Sequence, residues 1–149
     1  MKIILLSGKA NVGKTSTMIQ LYDELKRRDE KMKVLNGAGP KPSAKKTRKL
    51  EDFVCLVVYK GKKVALRSGG DYYHHCVETI VKFSDAADVL ILAYRNAFKY
   101  ALDKMVNDSR GSHRVFEKAS QKPFDECDYK KAQEIADYLD SICGGMKNA

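Results

Sequence analysis

Short continuous apolar runs alternate along the chain with longer stretches in which apolar residues return every three or four positions. Residues 2–6, Lys-Ile-Ile-Leu-Leu, form one continuous run, the pattern of a strand covered on both faces. From residue 14 to 31, Met18, Leu21, Tyr22 and Leu25 recur with charges between them, which predicts an amphipathic helix. Residues 33–35 predict a short strand. Residues 53–59 and 62–67 are β-rich runs meeting at Lys60-Gly61, a hairpin signal. A helix is predicted over 72–83, a second buried strand over 88–94, a helix over 97–106, a turn over 107–111 and a strand over 113–118. The last helix is expected from about 128 to 143, with Ala132, Ile135, Ala136, Leu139 and Ile142 on one face and Gly144-Gly145 as its stop.

Strands alternating with helices predict an α/β fold. The expectation is a three-layer α/β/α sandwich built on a mainly parallel sheet of about five strands with one antiparallel hairpin. A length of 149 residues, with no internal repeat and no second core, fits a single domain over 1–149. The apolar runs at 3–6 and 89–93 fall far short of the ~18 residues that span a bilayer, so no membrane partner is expected. The first run is also too short for a secretory signal. Cys55, Cys76, Cys127 and Cys143 show no Cys-x-x-Cys spacing and read as reduced thiols, which together predicts a cytoplasmic protein.

Charge changes this picture at one place. The formal net charge is +9, and residues 26–49 hold ten basic side chains against Asp29 and Glu30, a net +8. Pro40, Pro42, Gly37, Gly39 and Ser43 fall in the same segment, which predicts an exposed basic loop over about 36–50. A solvated loop, a lid over phosphates, or a nucleic-acid contact through residues 26–49 are all open to such a segment. It has no aromatic residue on which bases could stack.

The motif that carries chemistry is Gly8-Lys9-Ala10-Asn11-Val12-Gly13-Lys14-Thr15. It matches G-x-x-x-x-G-K-[ST] in full, between a buried strand and an amphipathic helix, and resembles the Walker A motif of the P-loop NTPase superfamily. Two glycines allow a backbone turn whose N–H groups gather around one concavity, and the helix that follows adds the positive end of its dipole. The resemblance implies a P-loop NTPase-like fold in which Gly8 through Ser16 bind nucleotide. Lys14 would reach the β- and γ-phosphates, and the Thr15 hydroxyl would ligate Mg²⁺. Ser16 would lie near the α-phosphate.

Phosphoryl transfer also needs charge cancellation on the transferring group. The strand over 88–94 ends in Arg95-Asn96 and carries no acid of the Walker B kind. Asp71, after Ser68-Gly69-Gly70, is the candidate catalytic acid and metal ligand; as an alternative it is the N-cap of the helix predicted from 72. Arg95 should emerge at the carboxyl edge of the sheet, where it suits a phosphate, a carboxylate or a plain surface ion pair. Ser68-Gly69-Gly70-Asp71 is not D-x-x-G, and no N-K-x-D occurs, so ATP is favoured over GTP. His74-His75-Cys76 reads as ordinary helix sequence, because adjacent helical residues point about 100° apart. The expected activity is that of an Mg-dependent ATPase or small kinase. The alternatives are a nucleic-acid-associated nucleotide switch and a non-catalytic nucleotide-binding domain.

Overall fold

Every apolar residue of strand β1 (Lys2–Gly8) is enclosed by neighbours on both edges and both faces. The computed structural model describes residues 1–8, 13–40, 52–69, 72–95, 104, 113–118 and 124–146. After β1 come helix α1 (Lys14–Arg28), strands β2 (Lys33–Ala38), β3 (Val54–Tyr59) and β4 (Lys62–Arg67), helix α2 (Tyr73–Phe83), strands β5 (Val89–Arg95) and β6 (His113–Lys118), and helix α3 (Phe124–Met146). The strands form one sheet in the order β2-β3-β4-β5-β1-β6. Pairings β4–β5, β5–β1 and β1–β6 are parallel, and β3 is antiparallel to both of its neighbours. The protein is therefore α/β with a mixed sheet and the expected antiparallel hairpin.

The sheet has six strands where about five were expected. Strand β2, expected over 33–35, runs on to Ala38; all six of its residues are exposed, so it is held by its backbone ladder to β3 and leaves little hydrophobic signal. Asn36, Gly37 and Ala38 thereby belong to a strand, and the basic loop expected from 36 does not begin there; residues 41–51 lie outside the described residues. Helix α1 ends at Arg28, short of the expected 31. Asp29 leaves helical geometry, and its carboxylate accepts the N–H of Lys31 (3.1 Å) and of Lys60 (2.7 Å), which turns the chain away. Helix α3 starts earlier than expected and continues through Gly144-Gly145 to Met146. Glycine allows a stop without forcing one, and its helix penalty of roughly 1 kcal/mol is small beside the buried face that precedes it. The helix and turn expected over 97–111 lie outside the described residues, apart from residue 104.

Alternation along the strands divides the core. Ile4, Leu6, Leu66, Ile91 and Ala93 pack with Met18, Leu21 and Leu25 of α1 and with Ala132, Ile135 and Leu139 of α3. Ile3, Leu5, Ala65, Leu90 and Leu92 belong to a separate cluster with Cys76, Ile80 and Phe83 of α2. A strand apolar on both faces reads as a continuous run, which accounts for residues 3–6 and 89–93. Each fully buried Leu or Ile of these central strands contributes about 1.5–3 kcal/mol.

A polar staple joins α1, α3 and the β3–β4 turn. Glu24, almost fully buried, accepts hydrogen bonds from Arg27 and Arg28. Arg28 continues to Asp140 (2.9 Å) and Asp137 (2.9 Å), and Asp140 also accepts the Tyr59 hydroxyl and pairs with Lys60 at 3.1 Å. Burial pushes the Glu24 carboxyl up, but the hydrogen bonds and charges of Arg27 and Arg28 outweigh it and hold the group below its ordinary value. Asp140 is lowered in the same way, burial being overcome by Tyr59, Lys60 and Arg28.

A folded-state carboxyl that is lowered contributes stability above the unfolded-state value near 4, and that contribution is lost as pH falls. Chemical denaturation is expected to show stability dropping between about pH 5 and pH 3. Glu24→Gln should cost about 3 kcal/mol at neutral pH and make this drop shallower, because the arginines lose their buried partner. An unchanged pH slope in the variant would count against the staple.

Candidate functional site

Because β1 lies between two parallel strands, it delivers Gly8 to the carboxyl edge of the sheet, with Arg95 beside it in β5 and Lys118 beside it in β6. The chain re-enters regular structure at Gly13, which stands at the N-cap of α1 with φ 97° and ψ 21°, a left-handed conformation that favours glycine. Lys9, Ala10, Asn11 and Val12 lie outside the described residues. A side chain at position 13 would also collide: a Cβ there would stand 2.7 Å from Asp128 Oδ1. The Gly13 carbonyl accepts both the N–H (2.9 Å) and the hydroxyl (2.7 Å) of Thr17, which fixes the first turn of α1.

Lys14 is buried, and its Nζ donates to the Gly8 carbonyl at 2.9 Å, so its ammonium lies back along the turn it follows. Ser16 is half-buried in the same helical turn. Behind Gly13, Asp128 of α3 forms an ion pair with Lys118 at 2.9 Å, both side chains almost fully buried. The contact is ionic more than directional, because Asp128 Oδ1 makes no hydrogen bond of good geometry among the described residues. The pair joins the end of β6 to the start of α3 directly against the turn. No motif marks Lys118 or Asp128 in the sequence, because their pairing joins two separate elements.

The Thr15 hydroxyl donates to Asp52 Oδ1 at 3.0 Å. Asp52 carries no motif signal either, because it does not stand at the end of a buried strand. It sits instead just before β3, the one strand that runs against the others, and so at the edge where β1, β4 and β5 end. Tyr22 of α1 rests edge-on against Phe53 with ring centroids 6.0 Å apart, holding the start of β3 beneath α1. Ser68 locks the same corner: its hydroxyl accepts the Phe53 N–H at 2.7 Å and lies 3.4 Å from Asp52. Gly69 is required by close approach, since a Cβ there would stand 2.7 Å from Asp52 Oδ2. An antiparallel strand in a parallel sheet, preceded by an acid, was the signal that could have found Asp52.

Asp71 lies outside the described residues. Its alternative role as a cap falls elsewhere, because α2 begins at Tyr73 and its N-cap is Tyr72, with no side-chain cap bond. β5 separates β4 from β1, so the chain leaves β4 two strand spacings, about 10 Å, from β1. Arg95 is exposed at the carboxyl edge, as expected. The rings of His74 and His75 pack on each other and on Tyr72. No group of three His, Cys, Asp or Glu side chains that could hold a metal occurs among the described residues. Cys55, Cys76 and Cys143 are buried and outside any disulfide, and burial pushes Cys55 up to about 12. Of the cations in 26–49, Arg27 and Arg28 are engaged by carboxylates of the chain itself. Comparison with family models, with curated proteins and with solved structures finds no match to this chain.

A cavity of about 340 Å³ opens next to Asp52, between the start of β3, the end of β4 and the first turn of α2. It adjoins the corner that Asp52 and Gly69 form with Thr15.

Removing one member of a buried ion pair strands the other. Lys118→Met is expected to lose about 3–5 kcal/mol of stability, and Lys118→Met with Asp128→Asn clearly less than the sum of the single losses. Urea unfolding of the four proteins of this cycle measures the coupling, and strict additivity would show that the pair is not coupled.

Proposed function

We propose that the chain binds Mg-ATP through residues 8–16 and acts on its γ-phosphate. The observation that carries this reading is the buried Lys14 ammonium, folded against the Gly8 carbonyl in the first turn of a helix whose N-cap is left-handed Gly13. A cation already placed at a helix N-terminus, beside a glycine turn, is what a polyphosphate requires. The placement of α1 and α3 in one core cluster and α2 in the other supports a three-layer, P-loop NTPase-like arrangement around it.

The residues present suit the metal that such a nucleotide brings. Thr15 and Asp52 offer a hydroxyl and a carboxylate 3.0 Å apart, hard oxygen donors of the kind Mg²⁺ accepts. Mg²⁺, when bound with the nucleotide, offsets charge on the β- and γ-phosphates. Thr15 and Asp52 would hold it, with Asp71 remaining the acid that the motif order suggests. Lys14 would exchange the Gly8 carbonyl for phosphate oxygens. Arg95, one strand from Gly8, would face the charge that develops on the transferring group. Lys118 and Asp128 would keep Gly13 and the turn in place from behind.

Titration calorimetry with Mg-ATP is the test. Lys14→Ala is expected to weaken binding roughly 100-fold, about 2–3 kcal/mol, the worth of a charge-assisted contact. Thr15→Ala should abolish the gain in affinity that Mg²⁺ gives while leaving metal-free ATP binding nearly unchanged. Affinity for no nucleoside triphosphate, or an Lys14→Ala variant that binds as well as the parent, would overturn the reading.

A further inference from the structure

The cavity beside Asp52 is linked to the start of α1 through that one residue, which lines the cavity and contacts Thr15. Asp52 accepts the Thr15 hydroxyl on Oδ1, and its Oδ2 lies over Gly69 in the wall of the cavity. The remaining walls are Phe53, Val54, Arg67, Tyr72 and His75. Tyr72 is 62% exposed, and the His75 ring stands edge-on to it with centroids 5.4 Å apart. Phe53 forms a floor anchored on Tyr22.

The Tyr72 carbonyl accepts first-turn N–H groups of α2, but its side chain adds nothing to the cap. An N-cap is normally Ser, Thr, Asp or Asn, whose side chain accepts a first-turn N–H, whereas Tyr72 makes no cap bond and exposes a large ring. A residue that breaks a local rule while placing a large exposed ring in the wall of a cavity points to a ligand. The charge of the walls narrows its chemistry. Arg67 Nε donates to the Gly69 carbonyl at 2.7 Å, so the guanidinium is tied into the wall, and the Asp52 carboxylate opposes anions. Aromatic faces suit a flat ring, and a carboxylate suits a hydroxyl donor. At about 340 Å³ the cavity falls at the small end of ligand pockets, which run from roughly 300 to 1,000 Å³. A single ring system with its substituents fits that scale better than a polymer does.

We propose that this cavity is the phosphoryl-acceptor site and that it takes a nucleoside: a neutral molecule with a flat heteroaromatic base and a free hydroxyl. The proposal rests on the Mg-ATP reading above and selects kinase over ATPase. In the reaction the acceptor hydroxyl oxygen bonds to the γ-phosphorus while the bond from that phosphorus to the β–γ bridging oxygen breaks. The electron pair of the broken bond leaves on ADP, and the hydroxyl proton passes to solvent. Asp52 accepts the hydrogen bond of the hydroxyl and points its oxygen toward the side where Thr15 stands. In a loose transition state such positioning matters more than proton abstraction.

The test incubates the full chain with Mg-ATP and, separately, adenosine, guanosine, cytidine, uridine and thymidine, and measures ADP and nucleoside monophosphate by chromatography. At least one nucleoside is expected to yield its monophosphate in step with ADP. Tyr72→Ala should raise the KM for that nucleoside about tenfold, as loss of a stacking partner does, and leave the KM for Mg-ATP unchanged. This exposed residue can change without unfolding the chain, and a circular dichroism melt checks that. Asp52→Ala should lower kcat. If Mg-ATP binds with Lys14 dependence but none of the five nucleosides is phosphorylated, the acceptor assignment falls and the nucleotide reading stands. If Mg-ATP does not bind, both fall. Equal KM shifts for nucleoside and Mg-ATP in Tyr72→Ala would also overturn the assignment of the cavity.

Discussion

The structure depends on the enclosure of β1. Ile3, Ile4, Leu5 and Leu6 have strands on both edges and apolar clusters on both faces, so the strand has no freedom to slide or tilt. A one-residue slip would exchange the two faces and strip both clusters of their central contacts. That constraint sets where β1 delivers Gly8, and α1 packs its inner face on the same core from Lys14 onward. A site built at such a point is held by burial more than by its own hydrogen bonds.

Electrostatics then distinguishes the two ends of the molecule. At the carboxyl edge, Lys14 reaches the Gly8 carbonyl, Arg95 and Lys118 stand beside Gly8 in the neighbouring strands, and Lys118 pairs with a buried carboxylate, Asp128, directly against Gly13. At the C-terminal end of α1 the cations Arg27, Arg28 and Lys60 are instead consumed by Glu24, Asp137 and Asp140. Buried pairing of this kind contributes less to net stability than to geometry, because desolvation offsets much of the attraction. Both networks tie α3 to something else: one to β6 and Gly13, the other to α1 and the hairpin. Helix α3 is thus the brace that connects the turn to the rest of the fold.

Most elements were legible because periodicity and burial coincide. The continuous runs at 3–6 and 89–93 became the central strands, and Met18, Leu21 and Leu25 became the inner face of α1. Strand β2 was underestimated because its residues are exposed and its pairing partner, β3, follows it by a long interval of sequence. The end of α1 was overestimated because Asp29 acts through a contact with Lys60, distant in sequence. In the site, Lys14 and Thr15 were legible as a motif, while Asp52 was not, since its role follows from one strand running backwards.

Local sequence determined that a glycine turn lies between a doubly buried strand and an amphipathic helix, because both flanking patterns and the turn residues are contiguous. It also determined that Arg95 follows a buried strand and so emerges at an edge. Only the tertiary structure decided which side chains meet there. The order β2-β3-β4-β5-β1-β6 places β5 between β1 and β4, brings Asp52 from the start of β3 to Thr15, and sets Lys118 and Asp128 behind Gly13. Those contacts join residues separated by tens of positions, and no periodicity within one segment encodes them. They arise from the sheet's strand order, which burial of the whole chain selects.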